Sequence, residues 1–327
     1  MLKRILRSIG WLVGAGAADH FATRGETRDL VARIARIEQH LDRLAQLSVT
    51  QAEQAQAQRF LQEKTCAELA YLNGLMRVVS ADVVNASAGH PLLGAKTNLF
   101  SQNYEDAIIS AIFGRIGSGQ KRFLEVGVGD GTENNTRLLL ELGWRGAWVE
   151  CDPAAVAAIK HRLADYLADG RLVLIEEAVT AETINDVVAR CGLSGEIDFL
   201  SLDIDMNTSH VWRALSLKAR VACLEYNASF PPEVEFEVAY DPQAAWQGSS
   251  YFGASLLSLD TIARQKTMAL VGCDLMGINA FFVRQDLAEA HFAGPHTPAA
   301  HYQPPRYALA GARGHPRAAG RFARAGA

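Results

Sequence analysis

The stretch FLEVGVGDG, Phe123 to Gly131, decides how the rest of the chain reads. Arg122 to Val126 is a short apolar run ending in a glycine turn, the pattern of a strand buried on both faces. Gly127, Gly129 and Gly131 follow at alternate positions, and Thr132 to Leu142 then reads as a helix ended by Gly143. Glycines between a strand and a helix let the backbone turn tightly and approach a ligand with no Cβ in the way. A helix starting there adds free N–H groups and a partial positive charge. Gly127, Gly129, Asp130 and Gly131, with Glu125 before them, are therefore the first candidate binding residues.

Outward from this turn the alternation repeats. Ser101 to Ile116 reads as a helix on the N-terminal side. Beyond the turn come strands at Ala147 to Glu150, Arg171 to Glu176, Ile197 to Asp203 and Val221 to Tyr226. Between them lie helices from Pro153 to Ala168, Ile184 to Cys191 and His210 to Leu217, with Asp152 as a cap for the first. This order implies a parallel sheet covered on both faces. Thr267 to Cys273 and Asn279 to Arg284 leave no room for a crossover helix, so they predict an antiparallel hairpin. The expected fold is α/β, a Rossmann-like, mostly parallel sheet with a C-terminal antiparallel hairpin, preceded by an N-terminal helical segment.

Spacing separates two cofactor classes. A dinucleotide turn reads G-x-G-x-x-G, and its third glycine would fall at Thr132. Here the pattern is G-x-G-x-G, flanked by the acids Glu125 and Asp130, which disfavour a pyrophosphate. A sulfonium with an amino group, as in S-adenosylmethionine, suits an acidic turn. Glu150 ends the second strand 23 residues beyond Gly127, where a carboxylate can accept from both ribose hydroxyls. Ala178, just past the third strand, completes the expected cofactor contacts.

The fourth strand runs into Asp203, Asp205 and Asn207, at the end of the sheet where ligands of open α/β folds bind. These oxygens suit a general base or a substrate contact. They are also ligands of the type a divalent metal takes, although hard-cation sites usually need more carboxylates. The alternative is that the acids cap the following helix. Asp203 and Asp205 are the leading candidates for the base, with His210 and Glu225 as alternates. After Glu225, Tyr226 and Asn227 comes a long insertion, Ala228 to Ser250, of the kind that forms lids or substrate walls. In it Glu233, Glu235 and Glu237 alternate with apolar residues, which suggests a short edge strand.

Composition bounds the rest. The chain has 327 residues, 49% apolar and 21% charged, with a net charge of −4, so no basic field points to nucleic acid. Its five cysteines show no C-x-x-C spacing, which argues against a disulfide framework or structural zinc. Residues 1–26 pair Lys3, Arg4 and Arg7 with an apolar run too short to span a bilayer. A signal peptide, a peripheral membrane or partner contact, and a frayed terminus remain open there. Residues 27–84 read as helix. Leu30, Ile34, Ile37, Leu41 and Leu44 form a heptad seam within residues 30–47, beginning after a capping-box spacing at Thr23 and Glu26. The seam fits a coiled coil and a homo-oligomer, or a helix packed on its own domain. Residues 85–98 form a linker, 99–290 the α/β domain, and 291–327 a Pro/Ala/Arg-rich tail. That tail reads as a wrapping or disordered extension whose arginines, Arg306 among them, read first as solvated charges and second as contacts for an anionic partner.

The EVGVGDG turn, Glu150, the LDID after the fourth strand and the terminal hairpin together resemble class I S-adenosylmethionine-dependent methyltransferases. The segments SQNYEDAIISAIF, ENNT, IDFLSLDID, LEYNA, YFGASL and LVGCDLMGINAFFVR are similar to a bacterial branch near the FkbM-type methyltransferases. The resemblance covers about Leu99 to Leu287. It implies a late antiparallel strand, S-adenosylmethionine as cofactor, and O-methylation of a sugar or cell-surface glycan precursor in the cytoplasm or at its membrane. The substrate side departs from the pattern. Ser201 stands where the FkbM-type proteins favour Lys, Asp205 where they favour Glu, and Met206 where they favour Gly. Ser209 and His210 stand where the closer branch implies aromatic residues. The competing readings are a non-catalytic scaffold on the same fold and a nicotinamide-dependent oxidoreductase.

Overall fold

The computed structural model describes residues 24–87, 92 and 98–306. The expectations for residues 1–23, most of the linker and the tail beyond residue 306 lie outside the described residues. The chain divides into two units, Met1–Val79 and Ser80–Ala327. The described residues of the first all belong to one helix, α1 (Arg24–Ser87), whose last residues, 80–87, are counted with the second.

The second unit is built on a seven-stranded sheet in the order β3-β2-β1-β4-β5-β7-β6. Its strands are β1 (Arg122–Val126), β2 (Arg145–Glu150), β3 (Leu172–Glu176), β4 (Glu196–Leu202), β5 (Lys218–Glu225), β6 (Met268–Cys273) and β7 (Asn279–Arg284). The first five pair in parallel, and β7 runs antiparallel to both β5 and β6. The order reverses between β1 and β4, so a crevice opens beyond the C-terminal ends of these two strands. This is the Rossmann-like sheet with a terminal hairpin that the alternation implied.

The strands are almost continuously apolar because both faces are covered. One face buries Leu124, Val149, Leu200, Leu224 and Phe282 among others, and the opposite face buries Phe123, Trp148, Phe199, Val221 and Phe281. Among the helices, α2 (Glu105–Ile116) precedes the sheet and α3 (Arg137–Glu141) follows the glycine turn. Next come α4 (Pro153–Arg162), α5 (Ala164–Ala168), α6 (Ile184–Arg190), α7 (Thr208–Ala214) and α8 (Leu256–Gln265). Asp152 caps α4 as expected, accepting from the Ala154 N–H at 2.9 Å.

Several boundaries differ from the sequence reading. Helix α2 begins at Glu105 rather than Ser101, because Tyr104 is left-handed (φ 69°) and Asp106 gathers the N–H groups of Leu99, Phe100 and Ser101. Helix α3 begins at Arg137, five residues later than the apolar pattern suggested. Strand β4 ends at Leu202, so Asp203 is not part of it. The insertion forms one isolated bridge, Glu237 to Ala254, rather than an edge strand. The tail is fastened to the domain as far as residue 306. There Arg306 donates to the carbonyl of Leu275 at 2.6 Å and to Gln303 at 2.9 Å, which occupies it within the chain instead of leaving it for an anionic partner. Cys191, Cys223 and Cys273 are buried, Cys66 and Cys151 are exposed, and all five are free thiols. Among the described residues no helix is long and apolar enough to cross a membrane.

Candidate active site

A cleft of about 260 Å³ lies over the glycine turn. The turn itself is tightly specified. Gly127 has φ +82°, and a Cβ there would lie 1.7 Å from the carbonyl oxygen of Asp203, so only glycine lets β1 and β4 leave the sheet side by side. Gly131 (φ +77°) would press a Cβ to 3.0 Å from both Ile159 and Trp148, which sets the approach of α4 to the sheet. Gly129 (φ +53°) differs: a Cβ there meets nothing within 4 Å, and the residue borders the cleft.

Of the two carboxylates expected at the cofactor, Glu150 is tied to this turn and Glu125 to the residues that follow it. Glu150 accepts from the N–H groups of Val128 (3.1 Å) and Gly129 (2.7 Å) with one oxygen, and from Cys151 (2.7 Å) and Asp152 (2.9 Å) with the other. It therefore holds the turn in shape, and a ribose hydroxyl would share those lone pairs. Glu125 accepts from the N–H groups of Asn135 (2.9 Å) and Thr136 (3.1 Å) and from the Thr136 hydroxyl, which in turn receives the indole N–H of Trp148 at 2.7 Å. The N–H groups of Asn135 and Thr136, just ahead of α3, are thus occupied by protein. Burial pushes the Glu125 carboxyl up to about 7, against the hydrogen bonds that favour its ionised form. Asp130 points the other way. Its ion pair with Arg162 at 2.7 Å, with help from Thr132, holds it below its ordinary value.

Three acids converge at the C-terminal ends of β4 and β5. Asp203, Asp205 and Glu225 each present a carboxylate oxygen, all within 4.8 Å of one another. Strand alternation does not create this cluster. The chain has already left β4, and Asp205 turns back in the left-handed region (φ 52°), which an Asp tolerates better than most residues. Glu225 is drawn well above the usual carboxylate range by burial and then by the charge of Asp203. Asp203, accessible from the cleft but hemmed in by protein, is pushed up to about 6 by desolvation and by Asp205, partly offset by a hydrogen bond from Glu225. Glu225 and Asp203 therefore titrate as a pair, each held above its ordinary value chiefly by burial. Asn207, expected beside these acids, instead donates to the carbonyl of Asp241 at 2.8 Å. Three carboxylates are a donor set that a divalent cation accepts, and one oxygen of Glu225 has no hydrogen-bond partner. Neither aspartate caps α7, whose first turn is preceded by Asn207.

Of the expected site residues, Gly131, Glu150, Ala178, Asp205, His210 and Glu225 are not in the lining of the cleft. His210 bonds the carbonyl of Val238 through Nε2 (2.8 Å), and its Nδ1 lies 3.4 Å from Arg213. Nε2 thus holds the insertion while Nδ1 faces Arg213 of the same helix, which argues against His210 as the alternate base. Ala178 is exposed on the loop past β3 and does not line the cleft.

The structure adds residues the sequence reading did not single out. Gln102, Glu105, Glu133, Asn135, Ile278 and Asn279 also line the cleft. Glu105, buried in the first turn of α2, accepts from the Asn279 side chain at 3.0 Å, which joins the segment before the sheet to the terminal hairpin. Gln102 reaches across to Glu133 at 2.9 Å. Their signal in the sequence lies in the resemblance segments SQNYED, ENNT and LVGCDLMGINAFFVR, which do not reveal that the partners meet across as many as 174 residues. In all, Glu105, Glu125, Asp130, Glu133 and Asp203 face the cleft, and among the described residues no Lys, Arg or His lines it.

No protein-family model matches the chain, and no curated protein does. Solved structures resemble parts of it. They include the METTL16 MTase domain (16% identity, TM-score 0.30, covering 37% of this chain and 51% of that one). The O-methyltransferase NcsB1 from neocarzinostatin biosynthesis, bound to S-adenosyl-L-homocysteine and 1,4-dihydroxy-2-naphthoic acid, is 17% identical (TM-score 0.33, 54% and 52% covered). The glycopeptide N-methyltransferase MtfA with S-adenosyl-L-homocysteine is 14% identical (TM-score 0.35, 62% and 97% covered). The chain spans about half the length of the first two.

Proposed function

We propose that the protein is an S-adenosylmethionine-dependent methyltransferase that methylates a hydroxyl of a sugar or glycan precursor in the cytoplasm. The observation that carries the cofactor assignment is the cleft itself: beside a glycine turn at the sheet's switch point it is lined, among the described residues, by five carboxylates and no cationic side chain, and of the five Asp130 is paired with a cation, Arg162. Such a lining favours a ligand with positive charge and repels a pyrophosphate, which disfavours the nicotinamide reading. The glycan acceptor rests on the family resemblance alone.

S-adenosylmethionine, when bound, supplies a methyl group on a positively charged sulfur that leaves as a neutral thioether. The chain's residues then have two tasks. The turn from Gly127 to Gly131, held by Glu150, sets the cofactor against the ends of β1 and β4. Asp203, facing the cleft with a raised proton affinity, takes the proton from the acceptor hydroxyl as its oxygen bonds to the methyl carbon. Burial and the charge of Asp205 keep that affinity high, and the hydrogen bond from Glu225 moderates it.

Calorimetry and thermal shift with S-adenosylhomocysteine test the assignment. The ligand raises the melting midpoint if it binds the native state alone. Gly129→Asn keeps a left-handed backbone accessible and puts a side chain into the cleft, so it weakens binding at least ~10-fold without unfolding the domain. Unchanged affinity in a folded variant, or tighter binding of NAD, overturns the reading.

A further inference from the structure

Helix α1 is 64 residues long, about 95 Å at 1.5 Å per residue. Ile37, Leu41, Leu44, Leu69 and Leu72 on it are each more than half exposed. Long helices gain most of their stability by packing an apolar face, and this one presents its apolar residues to water.

The spacing identifies what covers them. With Ile34 and Leu41 at heptad position a, and Ile37 and Leu44 at d, the frame carries forward without a slip. Leu69 follows Leu41 by 28 residues, and Leu72 follows Leu44 by the same four heptads. Ser48, Gln51, Ala55, Gln58, Gln62 and Thr65 hold the seam positions between. On a straight helix a strict seven-residue repeat drifts by ~20° per heptad, about 80° over this distance. A repeat kept in phase therefore suits a partner helix that supercoils with it, not a globular surface.

The flanking residues select the partner and its direction. In a parallel, in-register pair, position g of one helix meets position e of the next heptad on the other. Here that spacing joins Arg33 to Glu38, opposite charges, and it occurs twice across a symmetric pair. Leu47 with Ala52 and Leu61 with Cys66 extend the apolar seam, and no like-charged pair arises from Arg33 to Asn73. We propose that two copies of this chain associate through residues 33–73 as a parallel, in-register coiled coil. The proposal is independent of the reading of the cleft.

Sedimentation equilibrium of the full chain reads the mass, expected at twice 35.5 kDa. Ile37→Asp with Leu41→Asp halves it. For direction, Cys66→Ser and Cys151→Ser give a background without exposed thiols among the described residues. In it, Leu44→Cys and Leu72→Cys each oxidise to a cross-linked dimer, while Val49→Cys on the outer face does not. A monomeric or trimeric wild type, or cross-linking only in a mixture of Leu44→Cys and Leu72→Cys chains, overturns the proposal.

Discussion

Asp203 shows how one residue's chemistry depends on its neighbours. Alone it would be a weak base at neutral pH, but desolvation and the charge of Asp205 push it up to about 6. A group with that affinity is still largely ionised at pH 7, yet it accepts a proton far more readily than an exposed aspartate. Removing the Asp205 charge in Asp205→Asn therefore brings the Asp203 titration down, which carboxyl 13C NMR detects without any substrate. The low-pH limb of methyl transfer moves to lower pH with it. Asp203→Asn, by contrast, lowers kcat/KM by roughly two to four orders of magnitude. Equal losses in both variants with an unmoved limb would assign the base to Asp205.

At the scale of an element, the terminal hairpin completes one wall of the cleft through Ile278 and Asn279. Its tip is organised by buried Asp274, which accepts from the N–H groups of Met276 (2.7 Å), Ile278 (3.1 Å) and Asn279. Asp274→Ala leaves those donors without their acceptor, a loss of about 1–3 kcal/mol. Urea titration at pH 8 measures it. Because Asn279 also holds Glu105, the same variant weakens S-adenosylhomocysteine binding. A variant with wild-type stability and affinity would show that the hairpin tip does not shape the site. The insertion is fastened in a similar way. Asn227 donates to the carbonyls of Ser250 (2.9 Å) and Phe252 (3.0 Å), and Met206 packs with Val238 and Phe252 beneath it.

For the whole molecule, concentrating acids at one end of the sheet carries a cost in stability. Glu125 and Asp274 are each raised to about 7 and Asp203 to about 6, chiefly by burial. A carboxyl whose folded-state pKa lies above its unfolded value binds protons more tightly in the native state. Its contribution is fully present below the unfolded value and is lost as pH rises through the folded one. Asp130, Glu182 and Asp286 are shifted down, so they are ionised in both states above pH 5 and add nothing to the slope there. The melting midpoint is therefore expected to fall by ~5–10 °C between pH 5 and pH 8. Scanning calorimetry across that range, with S-adenosylhomocysteine present and absent, reads both the fall and its offset by an ammonium-bearing ligand. A midpoint that rises with pH would contradict the protonated state assigned to these groups.

The amino-acid order alone determined the periodic and local features. The βα alternation, the bounds of β1 and β7, the hairpin, the Asp152 cap and the place of the glycine turn follow from patterns a few residues long. Steric limits and hydrogen-bond geometry act at that range. The tertiary structure decided what each acid does. Glu125 and Glu150 look alike in the sequence, but one is spent on the residues ahead of α3 and the other on the turn. His210 looks like a base until Val238 takes one of its nitrogens and Arg213 faces the other. Glu105 meets Asn279 across 174 residues, and Asp203, Asp205 and Glu225 converge through a left-handed turn that the sequence alternation did not contain. Burial and through-space charge set proton affinity, and both depend on which distant residues the fold brings together.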